Sequence, residues 1–294
     1  MVNKHPLTLT SLDPFRLWNM KKPSENIVLS IAGSDPSGGA GIQADIKTCT
    51  ALGVYCGAAI SCLTVQNTLG VTSVHPVDPK LVRRQVESVL EDLQVSHIKI
   101  GILGSAAVAE SICDALAQFG GEIVYDPIFV ASSGRNLIDQ EGYSIIRQKL
   151  LPICTVITPN LPEFTMLTEQ KCSTKDRLYQ LGEKLLQHNE KLRAVIVTGG
   201  HIEPRKDIIT DFLLTHSGTT FKIDCEEISH ERITSKNTHG TGCTFSAAFT
   251  AFHLLTGDDS EAFQKAVMYM DSLIRKSASV RIGHGTGPLM HYLK

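Results

Sequence analysis

Apolar and polar positions fall in blocks along the chain, and the blocks switch between two periods. Ile27-Val28-Leu29-Ser30-Ile31-Ala32 is a short apolar run that stops at Gly33-Ser34-Asp35-Pro36-Ser37-Gly38-Gly39. A run of that kind bounded by turn residues predicts a buried strand entering a loop. Comparable runs recur over 54–65, 97–102, 122–125, 155–158, 194–198 and 208–214, with helical patterns between most of them. Over 81–93, Val82, Val86, Val89 and Leu93 share one face, while Arg83, Arg84, Glu87 and Glu91 occupy the other. Strands that are apolar throughout and alternate with helices predict a doubly wound α/β fold, a mainly parallel sheet covered on both faces. Residues 1–25 lack clear periodicity and end in Lys21-Lys22-Pro23-Ser24, so a partly ordered extension is expected there. No linker-like stretch divides the remainder, and one domain is expected over 26–294.

Composition narrows the choice of ligand. Of 294 residues 42% are apolar, enough for a substantial core. Lys+Arg 28 against Asp+Glu 30 leaves a net charge of -2, without the basic surplus that dominates nucleic-acid binding. An anionic ligand must then be held by local groups. Eight cysteines occur without a C-x-x-C pair, several inside apolar runs, as Cys62 is. They are expected to be reduced thiols of a cytoplasmic protein, not a disulfide framework or a zinc site. The first residues do not resemble a signal peptide, and no apolar run approaches the roughly 18–20 residues that span a bilayer.

In doubly wound sheets ligands bind beyond the carboxyl ends of the strands, so the residues just after each apolar run carry the chemistry. The strongest motif is Asn237-Thr238-His239-Gly240-Thr241-Gly242-Cys243, which leads into the apolar pattern Phe249, Phe252, Leu255. Two glycines in a tight turn at a helix start expose backbone N–H groups where the helix dipole is positive, an anion site that needs no lysine. Neither G-x-G-x-x-G nor a Walker P-loop fits; a plain helix start does. His284-Gly285-Thr286-Gly287 repeats the pattern, but Pro288 follows, so it is expected to open no long helix and to build no comparable site. Cys243 stands where a base would take the proton of an acceptor hydroxyl, and a helix start lowers a thiol pKa from about 8.5. A small buried hydrophobe is the alternative.

Three further motifs follow apolar runs. Gly33 to Gly41 permits close backbone approach to a ligand, with Asp45 on the first turns of the next helix. Gln66 in Gln66-Asn67-Thr68 offers a donor and an acceptor, the pairing that reads the edge of a heteroaromatic ring. Asp126 and Glu163 each follow a strand, which suits a nucleotide's Mg²⁺, bound by one or two carboxylates plus phosphate oxygens. A pair of helix caps beside prolines fits the same residues.

Together these motifs resemble the ribokinase-like superfamily, and more narrowly the hydroxymethylpyrimidine/phosphomethylpyrimidine kinases of thiamine biosynthesis. Ala32 to Asp45 is close to a signature of that family, and Val65 to Thr68, Thr158 to Glu163, Asn237 to Cys243 and Ile282 to Gly285 match in order. The resemblance implies a three-layer sandwich that transfers the ATP γ-phosphate to the hydroxymethyl of 4-amino-5-hydroxymethyl-2-methylpyrimidine and then phosphorylates the monophosphate. It implies Cys243 as base, the amides of Gly240, Thr241, Gly242 and Cys243 as anion hole, and Gly33, Asp45 and Gln66 at the pyrimidine. Asn160, Thr198 and Gly200 would serve the nucleotide, Asp126 and Glu163 the Mg²⁺, and the protein would be a homodimer. Thr198 and Ser132 stand where the family usually carries lysine. A pyridoxine/pyridoxal kinase of the same branch is the alternative enzyme, and a non-catalytic vitamin-binding protein the alternative outside enzymes.

Overall fold

The computed structural model describes residues 27–130, 134, 136–200, 207–216 and 223–292. Ser132 and the extension 1–25 lie outside them. The first apolar run forms β1 (Ile27–Ser34), followed by α1 (Gly41–Ala51), β2 (Tyr55–Asn67), β3 (Gly70–Pro76) and α2 (Pro79–Asp92). Then come β4 (Val95–Ile100), α3 (Ala106–Ala115), β5 (Glu122–Tyr125), α4 (Gln140–Ile145), β6 (Val156–Ile157), α5 (Leu161–Thr168) and α6 (Lys175–His188). The chain continues through β7 (Ala194–Gly200), β8 (Ile208–His216), β9 (Ile223–Glu231), α7 (Thr241–Thr256) and α8 (Asp259–Ser277).

All nine strands join one sheet in the order β3-β2-β1-β4-β5-β6-β7-β8-β9. The stretch from β2 to β7 is parallel, and β3, β8 and β9 add antiparallel edges. The apolar run of each central strand splits by the two-residue pleat between two cores. Ile123, Tyr125, Ile157, Val195 and Val197 pack on the side of α2, α3, α5 and α6. Val124, Val156, Ala194 and Ile196 pack against Phe249 of α7 and Phe263 of α8. Continuous apolarity in the sequence is therefore the mark of two covered faces, as expected for the three-layer sandwich. Two edge strands were not expected. β3 and β9 mix partly buried with exposed residues and carry Thr72, His75, Glu226 and Glu227, so no apolar run announces them.

Helix starts separate structural from ligand-facing ends. Side chains of Asp78, Ser105, Asp139, Asn160, Thr174 and Asp258 each accept an amide in the first turn of α2, α3, α4, α5, α6 and α8. Such caps are worth about 1 kcal/mol each. Only α1, at Ala40, and α7, at Gly240, start without one among the described α-helices. Both open at the carboxyl ends of the parallel strands.

Candidate active site

The ends of the parallel strands surround a cavity of ≈ 460 Å³. Gly33 and Ser34 come from β1, Gln66 from β2, Asp126 from the end of β5, Thr158 and Asn160 from the end of β6, and Thr198 from β7. Thr238 to Cys243, ahead of and within the first turn of α7, closes one side. One cavity thus collects most of the residues selected from sequence. Gly200 ends β7, paired with Thr210. Ser132 lies outside the described residues.

The turn before α7 is held open by its own geometry. Gly240 has φ +79°, and a Cβ there would sit 1.9 Å from the carbonyl oxygen of Gly39. Only glycine fits a left-handed residue pressed against another loop's backbone. No acceptor among the described residues takes the Gly242 and Cys243 amides, which remain available to an anion. Gly33 is fixed by packing: a Cβ would meet Cys62 Sγ and Ile102 Cγ2 at 2.7 Å.

Cys243 differs from its sequence expectation. The helix start was expected to depress the thiol pKa, but burial, with Asp126 and Asp45 adding to it, pushes it up to about 12 despite Lys99. Cys243 is only 6% exposed, and its thiol lies beside the Asp126 carboxylate. Withdrawal from water and neighbouring carboxylates outweigh the dipole. Cys243 is neutral at pH 7, with a carboxylate placed to receive its proton.

Asp45 also departs from its expected place. It faces the interior side of α1 and does not line the cavity. Its carboxylate accepts from Ser30 Oγ at 2.6 Å and pairs with Lys99 Nζ at 3.0 Å. Lys99 is fully buried on β4 and lies 3.8 Å from Asp126 Oδ2, so one ammonium backs two carboxylates and the thiol. Sequence reasoning missed this lysine, although a cation inside the apolar run 97–102 was a signal.

Asp126 and Glu163 both line the cavity, as expected for a cation site. Burial raises the Asp126 pKa to about 6, with Asp45 adding to it against Lys99. Glu163 rises to about 8, through burial and then the Asp126 charge. The capping alternative holds for one of the two. Glu163 Oε2 accepts from the Asn160 amide at 2.8 Å while Asn160 Oδ1 accepts from the Glu163 amide at 2.9 Å, a capping box at α5. Asp126 caps no helix, and its buried Oδ2 lacks a hydrogen-bond partner. The pair suits a cation that a nucleotide brings, since no group of three His, Cys, Asp or Glu able to hold a metal occurs among the described residues. No lysine or arginine among them lines the cavity, and Thr198 stands on its wall.

The second His-Gly-Thr-Gly opens no long helix, as expected, yet it borders the site, where Thr286 lines the cavity. Thr68 Oγ1 accepts from the amides of His284 and Gly285, and the His239 amide donates to Gly287 O at 3.1 Å. The repeat therefore ties the loop carrying Gln66 to the turn before α7. Asp35 is a further wall residue. Burial works against its charge, but bonds from His239, Gln66 and Ser37 hold its carboxyl well below the usual carboxylate range.

A doubly wound sheet with an uncapped helix start and a carboxylate pair at its strand ends defines a small-molecule kinase of the ribokinase-like class. More narrowly, the family model described as phosphomethylpyrimidine kinase matches residues 35–290, and the chain belongs to that family. It is 40% identical over 269 residues to the hydroxymethylpyrimidine/phosphomethylpyrimidine kinase of Haemophilus influenzae, covering 90% of this chain and 96% of that one. The crystal structure of phosphomethylpyrimidine kinase from Clostridium difficile superposes with a TM-score of 0.71 at 32% identity, over 83% of this chain and 97% of that one. An ADP complex of Bacillus subtilis pyridoxal kinase superposes with a TM-score of 0.77 at 30% identity, over 90% and 97%.

Proposed function

We propose that the protein phosphorylates the hydroxymethyl group of 4-amino-5-hydroxymethyl-2-methylpyrimidine with ATP, and then its monophosphate, giving the diphosphate for thiamine biosynthesis. The observation that carries this reading is the uncapped start of α7 facing Gln66 across one cavity. Gln66 reads the ring edge, and Gly33 leaves room beside the ring. The amides of Gly240 to Cys243 receive the equatorial oxygens of the phosphoryl group in flight. Asn160 and Thr198 line the side left to the nucleotide, where Gly200 ends the adjoining strand. Asp126 and Glu163 would hold Mg²⁺ through water, which leaves the Asp126 carboxylate able to take a proton. When bound, that ion neutralises charge on the triphosphate.

Proton flow follows from the buried pair. Cys243 passes its proton to Asp126, and its sulfur accepts the proton of the acceptor hydroxyl as the new P–O bond forms. The bond from the γ-phosphorus to the bridging oxygen breaks, and ADP leaves with that electron pair. Lys99 balances the charge behind them.

Incubation with ATP and the pyrimidine, with products separated by charge, tests the reading. Mono- and diphosphate are expected; neither product with the ring intact overturns it. Pyridoxal kinase is the second reading, favoured by the Bacillus subtilis likeness, and a kcat/KM higher for pyridoxal than for the pyrimidine selects it. ATP consumption that ignores both rings would leave a vitamin-binding protein. We place the activity in one domain over 26–294 of a cytoplasmic protein, in keeping with eight free cysteines and with no described helix long and apolar enough to cross a membrane. A homodimer is in keeping with exposed Leu63, Val65 and Leu69 on the β2–β3 hairpin.

A further inference from the structure

Two loops that border the cavity, the one after β1 and the turn before α7, are joined by one buried carboxylate. Asp35 is 2% exposed, in the loop after β1. Its Oδ1 accepts from Ser37 N at 2.8 Å and Ser37 Oγ at 2.7 Å. Its Oδ2 accepts from Gly39 N at 3.0 Å, Ala40 N at 2.9 Å and His239 Nε2 at 2.8 Å. The first four bonds shape its own loop. The fifth reaches 204 residues along the chain to the turn that precedes α7.

The backbones interlock at the same place. A Cβ on Gly39 would lie 2.4 Å from His239 Cδ2, and one on Gly240 would lie 1.9 Å from Gly39 O. The His239 amide is itself anchored on Gly287 O. His239 therefore has little freedom beyond this bond, and Gly240 to Cys243 follow it directly. Gln66 and Asp35 both line the cavity that the anion-binding turn closes.

We infer that Asp35 and His239 form a positioning pair that sets the distance between the ring-binding loop and the anion-binding turn. Neither residue transfers a proton or touches the phosphoryl group; the pair acts through Gln66 and the Gly240–Cys243 amides. Displacement of a reacting group by about 1 Å costs roughly 10²-fold in rate, so the pair bears on kcat more than on affinity. The assignment of the two ends rests on the proposed function; the coupling of the two loops does not.

Two measurements on His239→Ala, His239→Gln and Asp35→Asn test it, with far-UV circular dichroism as a check on folding. Amide hydrogen exchange should speed up about tenfold in His239→Ala at the bonded amides of Ser37, Gly38, Gly39 and Ala40 and at those of Thr241 and Thr244 together, while β4 and β5 keep wild-type protection. Loosening of one segment alone, or of neither, overturns the pair. In turnover, His239→Ala should lose roughly 10²-fold in kcat with the pyrimidine KM within about threefold, and His239→Gln, which keeps a donor, should recover most of the loss. A kcat within about threefold of wild type in His239→Ala, or no recovery with Gln, overturns it as well. If the wild-type protein leaves the pyrimidine untouched, the proposed function falls, and hydrogen exchange still decides the pair.

Discussion

A thiol buried among carboxylates takes a proton only when it can first give one away, and Cys243 sits where Asp126 can accept it. Cys243→Ala should therefore lower kcat by about 10²-fold, the usual scale for a general base, and Cys243→Asp should cost less. Stopped-flow or coupled-assay kinetics decide; near-normal turnover in the alanine variant would leave Cys243 a packing residue. Lys99 gives a stability prediction at the same scale. Lys99→Met removes the ammonium 3.0 Å from Asp45 and leaves a buried carboxylate uncompensated. Breaking a buried pair from one side costs roughly 3–5 kcal/mol. Urea denaturation measures it, and a shift under about 1 kcal/mol would mean that water or rearrangement replaces the ammonium.

At the scale of elements, α5 allows charge and cap to be separated. Glu163→Gln keeps an acceptor for the Asn160 amide, because glutamine serves a capping box as glutamate does. Thermal stability should stay unchanged while the Mg²⁺ concentration for half-maximal turnover rises severalfold. A fall in melting temperature with unchanged Mg²⁺ dependence would make Glu163 a cap alone. The same scale shows what was legible from sequence. Strands buried on both faces were visible as apolar runs, and glycine-rich turns after them marked the cavity. β3 and β9 were not visible, since an edge strand mixes polar and apolar residues at half exposure. Asp35 and His239 meet across 204 residues of chain, and no local pattern carries that contact. Asp45 was assigned to the pyrimidine by resemblance, whereas Ser30 and Lys99, distant in sequence, hold it behind the cavity.

Across the whole molecule, a second polar cluster lies at the amino ends of the strands, away from the cavity. His97 Nε2 and His253 Nδ1 are 2.9 Å apart, and Arg193 joins His253 to Asp259 and Glu122. Burial, then His253, lowers the His97 pKa from 6.5 to about 4. Both histidines are thus neutral in the folded protein near pH 7, and the unfolded chain binds protons more readily below 6.5. Stability is then complete above pH 6.5 and is lost as pH falls toward 4, by about 2 kcal/mol from His97 at pH 5. Denaturation at pH 7.5 and pH 5 should show this loss, and His97→Gln should reduce the difference.

The two helix starts without side-chain caps have a thermodynamic consequence. Six helices each satisfy one first-turn amide with a side chain, while α7 leaves the Gly242 and Cys243 amides to whatever enters the cavity. A phosphorylated ligand then completes secondary structure as well as occupying a site. By linkage, ligand at 100 times its Kd adds about 2.7 kcal/mol to the folded state. The melting temperature of this protein therefore becomes a concentration gauge for its own substrates.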